Sequence, residues 1–381
     1  MDEITLVRDL RSEVTEPDPE TLGRIRARVL AGLPAVSAAS TRANRVLGRR
    51  PLLRLAVAGG LAAAVAAGTI AVDALVTRDG KPVVGHEAAA AELNQAAAAA
   101  IRASDPPLAP GQFYYLRTVE VAGTQIGGTS CGDLFYLHKN VYETWVPKDW
   151  GDQWMYRRAD NVAKEYLRPG DAAKVQRCAP EEPSSGPEVR KAPAGMFYPD
   201  GVDRPDQQPR DPSGAIVYQP SPAEAAKYLA GGSWQRPTPP FMAGLPRDPS
   251  QLLRRVYHDS AGRGRGKDDE AFVYIRDVLR SGVVPADLRA ALFSAAALIP
   301  GVRLVSDSVN LDGRHGVAVA LSDHGDSRVE LIFDPASGEV IGEREVALKS
   351  GYIPGVRSGT TIEYTSVSRQ IANAMGTVPG Q

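Results

Sequence analysis

Cysteine is scarce in this chain: Cys131 and Cys178 are the only two in 381 residues. That excludes a disulfide-built scaffold and a four-cysteine zinc site. Excess charge of either sign is missing too, with 44 basic residues against 45 acidic ones and a net charge of −1. The chain as a whole therefore lacks the basic footprint of a nucleic-acid binder. None of the five histidines stands in H-E-x-x-H or another metal-ligand spacing, and no G-x-S-x-G nucleophile elbow occurs. The run Gly262-Arg-Gly-Arg-Gly-Lys267 fails the phosphate-loop pattern, because Asp268 stands where Ser or Thr is required; it reads as a surface loop. No catalytic residue, metal ligand or cofactor is assigned. Plentiful proline and glycine, 30 and 37 residues, argue against an all-helical bundle and for a loop-rich body with strands. With 43% apolar and 23% charged residues, wholesale disorder is excluded.

Long apolar runs are limited to one. Leu55 to Val72 carries no charge but is built mainly from small residues, eight Ala and three Gly. As a helix its 18 residues would reach ~27 Å, close to the ~30 Å of a bilayer core. Arg42, Arg45, Arg49, Arg50 and Arg54 precede it with no acid between residues 34 and 54. An arginine excess before a span places the N-terminus in the cytoplasm. The expectation is a single transmembrane helix over 55–76 in the cell membrane, with the C-terminus outside and the lipid bilayer as a partner.

Residues 1–33 are expected to form two short cytoplasmic amphipathic helices, and residues 34–54 a basic linker. Leu6 and Leu10 share one side of the first helix; Leu22, Ile25 and Val29 recur at helical spacing in the second. Helices this short cannot bury such faces alone, so these five residues are candidates for partner binding.

Residues 79–381 are read as an external α+β domain. Removing the first 54 residues, with 10 basic and 7 acidic side chains, leaves 34 against 38, an ordinary surface. An alanine-rich helix is expected over 87–103, then strands over 112–121, 134–146, 153–158 and 161–167. Trp145, Trp150, Trp154, Tyr142 and Tyr156 gather there, a pattern of cross-strand packing. Ten prolines between 180 and 222 mark a long irregular excursion. Helices follow, opened by Ser221-Pro222-Ala-Glu224 and Asp248-Pro249, and two more are expected over 269–280 and 285–298. Strands over 302–309, 314–321, 327–334, 338–348 and 360–372, separated by turn residues, form an antiparallel meander. The expected whole is a curved antiparallel sheet with segregated helices. Cys131 and Cys178, 47 residues apart and outside the membrane on this topology, are expected to form a disulfide.

Several motifs also carry a family resemblance. They are the opening Met1-Asp-Glu-Ile-Thr-Leu-Val-Arg-Asp-Leu-Arg11, Glu16-Pro-Asp-Pro19, Pro110-Gly-Gln-Phe-Tyr-Tyr-Leu-Arg-Thr118, Leu245-Pro-Arg-Asp-Pro249, Leu298-Ile-Pro-Gly-Val302 and Phe333-Asp-Pro-Ala-Ser-Gly338. With the Arg-flanked apolar run, this layout resembles an actinobacterial family of uncharacterised single-span membrane proteins. The resemblance implies companions of extracytoplasmic-function sigma factors, and an external domain similar to the half-barrel of lipoprotein carriers and periplasmic sigma regulators. The tail lacks the H-x-x-x-C-x-x-C zinc pattern of the common anti-sigma domain. The expected function is a membrane-anchored sensor or regulator whose tail binds a cytoplasmic partner, with a sigma factor as the implied one. The alternative is an externally displayed module for lipid or lipoprotein with no signalling role. No enzymatic activity is expected.

Overall fold

The computed structural model describes residues 76–78, 81–129, 131–168, 170–178, 186–198, 208–264, 266–322, 325–351, 353 and 355–380. Twelve strands form one sheet. In chain order they are β1 (Val76–Arg78), β2 (Lys81–Val84), β3 (Phe113–Thr129), β4 (Gly132–Pro147), β5 (Gln153–Glu165), β6 (Glu188–Pro193), β7 (Ile216–Val217), β8 (Val302–Val309), β9 (His315–Ser322), β10 (Ser327–Asp334), β11 (Glu339–Ala347) and β12 (Thr361–Ala372). Their order across the sheet is β1-β2-β8-β9-β10-β11-β12-β3-β4-β5-β6-β7. All neighbours are antiparallel except the β6–β7 pair, which is parallel. Two meanders thus meet where the last strand of the chain, β12, lies along β3 from Glu363↔Ala122 to Ala372↔Phe113.

Seven helices are described: α1 (His86–Ala103), α2 (Asp171–Cys178), α3 (Pro222–Ala230), α4 (Pro239–Ala243), α5 (Pro249–Asp259), α6 (Lys267–Arg280) and α7 (Ala286–Ala296). Local chemistry sets their ends. In α3, Ser221 and Glu224 cap each other reciprocally, and in α5 the Gln251 amide donates to Asp248 Oδ1 at 2.8 Å. In α1, Glu87 lies in the first turn and Arg102 in the last, each complementing the helix dipole.

The main core lies between α1, α5, α6, α7 and one face of β8–β11. Leu93, Leu252, Ile275, Leu288, Leu292 and Phe293 meet Val302, Val319, Leu331 and Phe333 there. The alanines of α1 have a packing reason. Ala96 and Ala100 lie so close to the β10–β11 turn that a Cβ at Gly338 would collide with the Ala96 carbonyl and Ala100. Side chains alternate between faces along a strand, and the opposite face of β8–β11 buries a second cluster of Val305, Ala318, Ala320, Ile332 and Ile341. Glu330 belongs to that opposite face, fully buried between Arg328 at 2.7 Å and Arg344 at 2.5 Å.

Two expectations are corrected. The proline-rich stretch, read as irregular, supplies strands β6 and β7. Alternation along Glu188–Pro193 lets β6 pair with β5 from Gln153↔Pro193 to Arg158↔Glu188. The fold also contains no membrane span among the described residues, where no helix is long and apolar enough to cross a bilayer. Of the transmembrane helix expected over 55–76, residues 55–75 lie outside the described residues, and Val76 opens a strand instead. An apolar run of alanine and glycine is weak evidence for insertion, since those residues contribute little apolar area. The single-pass, cell-membrane placement with a cytoplasmic N-terminus and an extracellular C-terminus is withdrawn with it.

Phe293 is fully buried, with its ring centroid 5.2 Å from that of Phe333. Phe293→Ala is expected to lower unfolding stability by about 3–5 kcal/mol, read as a drop in the denaturant midpoint at constant slope.

Candidate functional site

The tail candidates Leu6, Leu10, Leu22, Ile25 and Val29, and the arginines Arg42, Arg45, Arg49, Arg50 and Arg54, lie outside the described residues. Cys131 and Cys178 are bonded, with their Cα atoms 6.1 Å apart. The bond ties the C-terminal end of α2 to the β3–β4 hairpin, beside Leu134, Tyr136 and Val175. Closing a loop of 47 residues limits the unfolded chain, so reduction is expected to cost about 2–4 kcal/mol. Thermal melts with and without reductant, with Cys178→Ser as the control that reductant no longer affects, check this.

One hollow is an open groove of about 940 Å³ at the end of the sheet where β3 begins and β4 hands over to β5. Three segments build it. Residues 109–113 enter β3, residues 148–152 form the β4–β5 turn, and Leu229, Pro239 and Pro240 come from α3 and α4. Phe113, Trp150, Leu229 and the prolines make its walls, with Lys148, Asp149 and Asp152 also lining it. Trp150 is held in place: its ring lies 4.9 Å edge-on from Trp154, whose Nε1 donates to the Trp150 carbonyl at 3.0 Å. The Gln112 side chain is fixed at both ends, accepting from the Ala109 amide at 2.9 Å and donating to Asn373 at 2.9 Å. A concave, mainly apolar surface with a few polar groups is the usual form of a ligand seat.

A second cavity, about 140 Å³, lies between α6, α7 and strands β11 and β12. Its walls include Leu279, Val284, Val340 and Val367, together with Arg289, Arg314, Arg369, Ser368, Gln370 and Glu339. Arg289 and Arg369 share the Asp105 carboxylate at 3.2 and 2.8 Å, and Arg369 also donates to Glu339 at 2.7 Å. Asp105 accepts as well from the Ala286 amide at 2.8 Å, at the first turn of α7. Burial alone would raise the Asp105 pKa, but the Arg369 hydrogen bond and the Arg289 charge outweigh it and hold the carboxyl below its ordinary value. Arg289 is only 5% exposed, and its Nε and Nη2 have no hydrogen-bond partner. Leaving a buried donor unpaired costs about 1–3 kcal/mol.

The third feature is an ionisable seam. On the helix-facing side of the sheet, Val319 and Leu331 stand in register with Glu343. From there the face turns polar: Glu345↔Glu363, Thr365↔Glu120 and Glu120↔Asn140 follow across β11, β12, β3 and β4. From α6, Arg276 and Arg280 approach Glu343 at 3.4 Å each, and Asp277 lies 3.3 Å from Arg280. Glu120 accepts from Asn140 and Tyr142 at 3.1 and 3.0 Å. Burial raises the Glu343 pKa, and the two arginines offset this only in part. Burial, then the charges of Glu120, Glu343 and Glu345, push Glu363 up to about 7 against the weaker pull of Arg276.

The remaining sequence candidates are dispersed. Trp145 lies on the opposite face with Tyr115, its Nε1 donating to the Thr377 carbonyl at 2.7 Å, while Tyr156 stacks near Phe197 at 5.4 Å. Lys267 sits 4.0 Å above the Tyr257 ring, and the glycine-rich run leads into the start of α6, where Gly266 is the N-cap residue and no side chain caps the helix. Among the described residues no group of three or more His, Cys, Asp and Glu could hold a metal ion. Trp150 and Phe113 were visible as aromatics, but neither Arg289 nor Glu343 carried any sequence signal. Their partners stand 184 and 63–67 residues away. The chain matches no known protein-family model and no curated protein.

A carboxyl whose pKa rises on folding binds protons in the native state that the unfolded chain releases. Its contribution is therefore full at low pH and disappears as pH rises through the folded value. Between the ordinary glutamate value of 4.5 and about 7, stability is expected to fall with rising pH by up to about 3 kcal/mol. Glu363→Gln should flatten that slope, read from denaturation midpoints across the window; an unchanged slope would remove Glu363 as its source.

Proposed function

We propose that this protein is a binding module for a ligand bearing an acyl chain, seated in the groove formed by Phe113, Trp150, Leu229, Pro239 and Pro240. The observation that supports this reading is the groove itself: about 940 Å³ of open hollow with aromatic and proline walls. That volume falls in the range of small-molecule and cofactor sites, about 300–1,000 Å³. The walls supply dispersion contact along a chain, and Lys148, Asp149, Asp152 and Gln112 can address a polar head. The regulator reading is not kept. It rests on tail residues outside the described part and on a membrane span that has been withdrawn, and no feature of the described residues supports action on a sigma factor.

Trp150 lines the groove, so its fluorescence reports occupancy. Palmitate and a palmitoylated peptide are the two probes, one for a free lipid and one for a lipidated protein. Saturable quenching by either one, weakened at least tenfold (about 1.4 kcal/mol) in Phe113→Ser and Leu229→Asp, supports the reading. Equal weakening of both probes assigns recognition to the chain; a selective loss of one assigns its source. No saturable change with either probe overturns it.

A further inference from the structure

We propose that α3 is a movable lid on the groove, latched by Arg236, and that its opening controls entry and exit of the ligand; the ligand part of this rests on the acyl-chain reading above. Three observations carry it: how shallowly α3 is seated, what it contributes to the groove, and how its end is held. Alone among the seven described helices, α3 contains no buried residue, whereas α1 and α6 bury six each and α7 eight. Six of its nine residues are exposed, and Ala225, Tyr228 and Leu229 are half-buried. Those three rest against the small cluster of Ala192, Ala194 and Met196, and none of them belongs to the main core. Leu229 at the same time forms the α3 wall of the groove. Moving α3 away therefore removes one wall of the groove and leaves the main core intact.

The segment after α3 is anchored where α3 is not. Trp234 lies in the main core, 3% exposed, with its Nε1 donating to Asp259 at 2.9 Å. Two residues further on, Arg236 reaches back to the helix. Its Nη1 donates to the Tyr228 carbonyl at 2.8 Å and its Nη2 to the Gly231 carbonyl at 2.6 Å, while the guanidinium lies 3.8 Å over the Tyr228 ring. Carbonyls in the last turn of a helix lack partners within it, and a cation there is favoured by the helix dipole. One side chain rooted in the fixed segment thus holds the end of α3 that carries Leu229. A further tie, from the Tyr228 hydroxyl to the Gly195 carbonyl, is long at 3.4 Å. Gly232 is packed so closely that a Cβ would collide with Thr238 and Phe241. Gly231, the exposed C-cap residue, is therefore where the chain can turn.

Hydrogen exchange of the full chain, followed by mass spectrometry, reads the opening without any ligand. A helix of nine residues does not persist once undocked, so opening exposes its amides. Those of α3 are expected to exchange roughly a hundredfold or more faster than those of α7. Arg236→Gln is expected to speed α3 by about a further tenfold and to leave α7 unchanged, which also checks that the variant folds. Stopped-flow quenching of Trp150 by palmitate then reads the gate. In Arg236→Gln the association and dissociation rates are expected to rise together by about tenfold. The dissociation constant should stay nearly constant, because Arg236 does not line the groove. Protection of α3 equal to that of α7, or exchange in α3 that Arg236→Gln does not alter, overturns the lid whatever binds. Faster exchange with unaltered rates overturns its control of the ligand. Faster exchange with no quenching by palmitate or the palmitoylated peptide supports the lid and overturns the acyl-chain reading instead, so the two failures are distinguishable.

Discussion

The Asp105 carboxylate joins three parts of the chain that sequence keeps far apart. It receives the Ala286 amide at the start of α7, Arg289 one turn later, and Arg369 from β12. Each contact is charge-assisted or directed at a helix N-terminus, where a negative charge is favourable. The interaction therefore sets where α7 lies against the sheet. Arg289 and Arg369 are held with part of each guanidinium occupied, and the cavity beside them takes its shape from that clamp. Because Asp105 follows α1 directly, the same contact fixes the exit of α1 toward β3 and toward the groove beyond it.

Close packing works with this clamp. Alanines of α1 bring its backbone against α7 and against the turn at Gly338, where any side chain would collide with α1. The helical layer consequently sits deeply over β8–β11 and covers an apolar surface there. From β11 onward the same face of the sheet presents Glu343, Glu363 and Glu120, with Arg276 and Arg280 as cations beside Glu343. One sheet thus carries an apolar half and an ionisable half, and the boundary between them runs beneath α6. Glu343, buried at that boundary, is the carboxylate that Arg276 and Arg280 of the helix approach at 3.4 Å each.

Much of the local structure was legible. The five C-terminal strands stand within a residue or two of their expected positions because Asp312-Gly313 and the Asp334–Gly338 turn interrupt alternating apolar runs. The capping box at Ser221 and the cap at Asp248 are side-chain chemistry written within four residues. Other features were misread for definable reasons. The prolines around Glu188–Pro193 masked a six-residue alternation that only pairing with β5 and β7 makes useful. The run over 55–72 met a length criterion while offering few large apolar side chains, and Val76 at the end of the expected span belongs to a strand. The arginine cavity was not legible at all, since one arginine sits in a helix, one in a turn and one in a strand.

Taken by itself, the sequence determined the periodicities, caps and turns from which the strands and helices are made, because these depend on neighbours within a few residues. It also determined the near-neutral charge that sets the whole chain apart from polyanion binders. Tertiary structure alone decided that β12 would lie beside β3 and join the two meanders. It decided too that Asp105 would meet Arg289 and Arg369, and that Glu363 would sit among three other carboxylates. Those facts rest on register and on distance in space. A charged residue reads alike in sequence whether it faces water, a partner charge or a buried cavity, and only the packing around it settles which chemistry it has.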